Sequence, residues 1–108
     1  MSFYIKQNDT RPTMSATLID ANGSSVDLTG ATVSLKMRKS GETSAVSLAG
    51  TASVVTANKG KVQYVWAAAD TSTVGSYEGE FQVTFSGGAI QTFPNDRYID
   101  IEIVDDIA

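Results

Sequence analysis

Hydroxyls and carboxylates are the abundant reactive groups of this 108-residue chain, which contains no histidine and no cysteine. A serine or threonine nucleophile needs a neighbouring base to activate it, and histidine is the commonest one. A Ser–Lys pair is conceivable with Lys36, Lys39, Lys59 or Lys61, but no local spacing supports one. Carboxylates gather near the end of the chain. Asp96, Asp100 and Glu102 flank the final apolar segment, Asp105 and Asp106 follow it, and Glu78 and Glu80 share a face of the segment expected to pair with it. Such a face could bind calcium or supply a glycosidase pair. It lacks the EF-hand spacing, and a solvated acidic sheet face is the favoured reading. Ser86-Gly87-Gly88-Ala89 lacks the lysine and the following helix of a phosphate-binding loop. No catalytic residue, cofactor site or metal site is therefore assigned. Asn8-Asp9-Thr10 and Asn22-Gly23-Ser24 match the glycosylation triplet, which carries no weight without a secretion signal.

Composition narrows the function further. Eight Lys and Arg stand against twelve Asp and Glu, a net charge of -4. Nucleic-acid binding needs a basic footprint, and the single local cluster, Lys36, Arg38 and Lys39, reads as a solvated strand end. No segment approaches the roughly 18 apolar residues of a membrane span. Met1–Gln7 lacks the basic-then-apolar order of a signal peptide. A fold without disulfides is compatible with a reducing cytoplasm. The length suits one domain over residues 1–108.

The elements that would position any site are strands. Val62, Tyr64 and Trp66 alternate with Lys61 and Gln63. Tyr77, Gly79, Phe81, Val83 and Phe85 alternate with Glu78, Glu80, Gln82 and Thr84. Period-two alternation puts one set on a buried face and the other in solvent, whereas a helix would mix them. The same pattern marks Phe3 and Ile5; Met14, Ala16 and Leu18; Val33, Leu35 and Met37; and Ile99, Ile101 and Ile103. A weaker small-residue strand is expected within Ala52–Thr56, and Ser40–Gly50 reads as a loop with at most an edge strand. Asn22-Gly23 and Asn58-Lys59-Gly60 are turn signals. Pro94 within Phe93-Pro94-Asn95-Asp96 predicts a bend, since proline cannot donate to a ladder.

About seven short strands with regular turns predict an all-β, immunoglobulin-like antiparallel β-sandwich. One local feature selects the sandwich over a barrel. The run Asp70-Thr71-Ser72-Thr73-Val74-Gly75-Ser76-Tyr77 enters the strongest strand. A tyrosine at this entry can return its hydroxyl to backbone a few residues upstream. Asp70 is expected to cap a one-turn helix over Asp70–Thr73, and Gly75 to allow the tight backbone. Gly79 stands where an antibody domain has its second cysteine, so the match is to the architecture.

The ordered set of pieces is more specific than any one of them. Ile5-Lys6-Gln7-Asn8-Asp9-Thr10 is followed by Asp20-Ala21-Asn22-Gly23, Val26-Asp27-Leu28-Thr29-Gly30-Ala31 and a strand ending in Met37-Arg38. Then come Gly60-Lys61-Val62-Gln63-Tyr64, Gly75-Ser76-Tyr77-Glu78-Gly79-Glu80-Phe81, Thr92-Phe93-Pro94-Asn95 and Tyr98-Ile99. This order resembles the immunoglobulin-like N-terminal domain of tailed-phage baseplate upper proteins and related small phage structural proteins. In that family the domain is a virion attachment module, often followed by stalk or receptor-binding regions.

The resemblance implies a phage virion structural protein that docks onto other capsid, neck, tail or baseplate proteins, with self-association open and no nucleic-acid or membrane partner. A carbohydrate-binding or host-adhesion module is the alternative, and a hydrolase on a β scaffold is disfavoured by the missing histidine. Docking through a sheet edge would use the terminal strands, Phe3–Gln7 and Tyr98–Val104. Phe3, Tyr4, Ile5 and Tyr98 are the candidate contact residues there, since Tyr4 and Tyr98 fall opposite the apolar faces.

Overall fold

The alternation seen in the sequence becomes eight strands in the computed structural model, which describes residues 2–41, 48–93, 99–105 and 107. They are β1 (Ser2–Lys6), β2 (Met14–Thr17), β3 (Thr32–Lys39), β4 (Leu48–Thr56), β5 (Lys61–Tyr64), β6 (Gly75–Thr84), β7 (Ile90–Phe93) and β8 (Ile99–Val104). Hydrogen bonding runs in the order β1-β8-β6-β3-β4-β5-β2, and β7 also pairs with β6. The fold is an all-β immunoglobulin-like sandwich. One layer holds β1, β8, β7, β6 and β3; the other holds β5 and β2.

β4 belongs to both layers. Its first part, Leu48–Ala52, pairs with β3, and its second part, from Ser53 to Thr56, pairs with β5. A register shift between Val54 and Thr56 marks a bulge. Gly50 lets the strand pass close under the Tyr64 ring, where a Cβ would lie 2.5 Å from the Tyr64 oxygen. This segment is thus a longer and more central element than a weak strand within Ala52–Thr56. The loop expected between Ser40 and Gly50 gives its last residues to β4, and residues 42–47 lie outside the described part.

β6 is the backbone of the larger layer. Its N-terminal half pairs with β8, from Gly75 opposite Ile103 to Gly79 opposite Ile99. Its C-terminal half pairs with β7, from Phe81 opposite Phe93 to Thr84 opposite Ile90. β7 and β8 therefore lie end to end along one flank of β6. The bend expected at Pro94, Asn95 and Asp96 falls among residues 94–98, outside the described part, as does Tyr98.

Among the described residues all strand pairings are antiparallel except β1 with β8. A parallel pair needs a long connection, and nearly the whole chain separates these two strands. The core lies between the layers. Leu18, Leu35, Tyr64, Trp66, Phe81 and Val83 are all buried in one cluster, with Met14, Leu28 and Ile101 among their neighbours. Leu28 anchors the turn at Asp27–Gly30, where the Asp27 carboxylate accepts from the Thr29 amide and hydroxyl. At the tight turn into β5, Gly60 takes the left-handed conformation, and a Cβ there would sit 2.6 Å from the Leu18 carbonyl oxygen.

Candidate functional site

Two features single themselves out: the corner that leads into β6, and the free edge of β1. In the corner, residues Ala68–Thr71 form a single 3-10 turn. The Tyr77 hydroxyl donates to the Thr73 carbonyl at 2.9 Å while its ring is buried. Gly75, between them, has φ 153, a backbone conformation that L side chains rarely adopt.

Asp70 plays a different part from the N-cap read in the sequence. The cap position is Ala67, and Asp70 is the third residue of the turn. Its Oδ2 accepts from the Ala67 amide and from the Tyr64 hydroxyl, both at 2.8 Å. The carboxylate thus ties the end of β5 to the turn, because the Tyr64 ring arrives from the core with its hydroxyl at the rim. Burial, and then the bond to Asp70, push the Tyr64 hydroxyl well above the ordinary tyrosine value of 10.0. Tyr64 also passes close over β4: a Cβ on Gly50 would lie 2.5 Å from the Tyr64 oxygen.

An aromatic row continues from Tyr64 to the chain start. Tyr64 meets Trp66 edge-on at 5.0 Å between ring centroids, and Phe3 of β1 stacks on Trp66 at 5.7 Å. Trp66 is buried, and its Nε1 finds no hydrogen-bond partner among the described residues. Beyond β1 the backbone is clamped to the corner. The Gln7 amide donates to the Val104 carbonyl, the Asn8 amide to the Thr71 carbonyl, and the Thr71 hydroxyl to the Asp9 carbonyl at 2.9 Å. Thr71 is fully buried, a role that nothing in its sequence context signalled.

β1 lies at one end of the strand order and, among the described residues, pairs with β8 alone. Ile5 is buried, Phe3 is half-buried on Trp66, and Tyr4 is 64% exposed. Tyr4 stands beside Glu102, and Lys6 beside Val104. Val104 is partly exposed, and so is Val74, one residue before the Gly75–Ile103 pair. Tyr4, Val104 and Val74 are thus exposed apolar side chains near this rim, with Glu102 and Lys6 as strand neighbours of the first two. The second edge candidate is corrected: Ile99–Val104 is an interior strand between β1 and β6, so its backbone groups are already paired.

Arg38 Nε bonds Glu78 at 2.9 Å, Lys36 lies directly opposite Glu80, and the Ser76 hydroxyl donates to Glu102. Among the described residues no group of three or more acidic side chains could hold a metal ion. No helix among them is long and apolar enough to cross a membrane.

Against known proteins, residues 3–106 match the BppU N-terminal domain, that of the phage baseplate upper protein. The chain belongs to this family. Among solved structures, the N-terminal domain of phage TP901-1 ORF48 is similar with a TM-score of 0.69 and 18% identity, covering 96% of this chain and 84% of that one. At that identity the likeness is one of fold. No curated protein matches the chain. Membership of the BppU N-terminal domain family implies a structural role in the phage tail or baseplate, as a component of the virion.

Proposed function

We propose that residues 1–108 form one immunoglobulin-like docking module of the phage virion, which acts by binding other virion proteins and not by catalysis. Membership of the BppU N-terminal domain family over residues 3–106 carries this reading. Two further observations support it. The chain has neither histidine nor cysteine, and the edge of β1 carries an exposed aromatic residue, Tyr4. An unpaired strand edge offers backbone donors and acceptors to a partner strand, and an exposed tyrosine is a common anchor. Phe3 and Ile5 hold β1 in place from the core side, while Tyr4 faces outward. Asp70, Gly75 and Tyr77 shape the corner against which the β1 exit is clamped. Assembly takes place in the host cytoplasm, and repetition on a symmetric particle multiplies a weak single contact.

Deleting β1 is a poor test, because it would strip Phe3 from Trp66 and Ile5 from the core. Tyr4→Lys leaves the core intact and places a charge on the edge. A folded Tyr4→Lys protein should be depleted from purified virions relative to the unsubstituted chain. Incorporation at normal copy number would remove the β1 edge as the docking surface. Absence of the unsubstituted protein from virions would refute the structural reading itself.

A further inference from the structure

We infer that the β1 edge pairs with the β1 edge of a second copy, antiparallel and centred on Tyr4, so that the larger layers of two molecules join into one continuous sheet. This rests on the docking reading and names the occupant of its edge.

The first reason is that β1 lacks the devices that usually blunt an edge. It is a regular five-residue strand without proline or bulge, and its one charge, Lys6, sits at the end. At the other end of the strand order, β2 is a four-residue strand entered just after Pro12.

The second reason is self-complementarity. An antiparallel register centred on Tyr4 is the one that pairs all five residues of β1. It sets Tyr4 opposite Tyr4 of the second copy on the outer face, an aromatic cross-strand pair. It sets Phe3 opposite Ile5 of the second copy on the inner face, so apolar meets apolar and the two cores become continuous. It sets Lys6 of the second copy opposite Ser2, whose neighbour on the other side is Asp100. Two strand spacings, about 10 Å, separate those backbones, a span that a lysine and an aspartate side chain bridge together across the small serine once the Lys6 ammonium turns from the exposed Asp105 carbonyl, to which it donates at 3.3 Å. Two-fold symmetry makes this charge complement twice, and an isologous interface of this kind closes at a dimer.

The test uses the absence of cysteine. Tyr4→Cys places two thiols directly opposite one another in the inferred pair, within cross-strand reach. Thr17→Cys on β2, also exposed, is the control. Under mild oxidation at micromolar protein, Tyr4→Cys should yield disulfide dimers at least about tenfold faster than Thr17→Cys, because pairing raises the local thiol concentration toward millimolar. Equal rates overturn the inference. Sedimentation of the unsubstituted chain over a concentration series should show a dimer that Tyr4→Lys abolishes, with the same circular dichroism and Trp66 emission. A dimer that survives Tyr4→Lys also overturns it. If the cysteine rates are equal while Tyr4→Lys still empties virions of the protein, self-pairing falls and docking to a different virion protein stands.

Discussion

Replacing Tyr77 with phenylalanine tests the corner with a single atom removed. The ring is buried, 5% exposed, and phenylalanine keeps its shape, so packing is unchanged. The substitution removes the hydroxyl and with it the bond to the Thr73 carbonyl at 2.9 Å. A neutral hydrogen bond contributes about 0.5–1.5 kcal/mol net, with a further desolvation cost when the abandoned acceptor stays buried. Thr73 is exposed, so its carbonyl can rehydrate, and the loss should be about 1 kcal/mol, without that further cost. In a chain of this size that is a fall in Tm of about 4–8 °C. The assay is thermal unfolding by circular dichroism together with urea titration. The urea midpoint should fall while the slope stays the same, since the surface exposed on unfolding does not change. A Tm within about 1 °C of the parent would refute the idea that this bond holds the entry to β6, given the shift expected.

Three further outcomes follow from the same packing. Phe81→Ala, at a fully buried position in the central strand, should cost about 3–5 kcal/mol, read from the urea midpoint. Gly50→Ala should cost about 1–3 kcal/mol, because the new methyl group drives the Tyr64 ring off β4 and away from Asp70; its effect should be less than additive with Tyr64→Phe. Alkaline titration followed by tyrosinate absorbance should show a late-ionising step that Tyr64→Phe removes. The native state holds the Tyr64 proton after the unfolded chain has released it. The stability this gives is complete below pH 10.0 and declines as pH rises beyond it, so the parent should lose more stability there than Tyr64→Phe does.

Much of this architecture is written in local pattern. The two-residue period at Tyr77–Phe85 and at Ile99–Ile103 assigns each side chain to a face, because in a strand the face depends only on parity along the chain. The missing histidine and cysteine limit the chemistry regardless of fold. The entry of Tyr77 after a Gly-bearing turn, and the exposure of Tyr4, are also local properties. Partnership is not local. That the two terminal strands lie side by side, and that β8 is covered by β1 so that of these two it is β1 that presents an edge, depends on segments nearly a full chain length apart. The same holds for Asp70, whose sequence neighbourhood reads as a cap but whose carboxylate takes the Tyr64 hydroxyl that the core delivers to it. It holds for β4, whose first residues read as the end of a loop and whose last read as a weak strand until two layers need one strand to join them. Alternation tells a side chain to be buried; only the competition among all buried surfaces for one core decides which strand it is buried against.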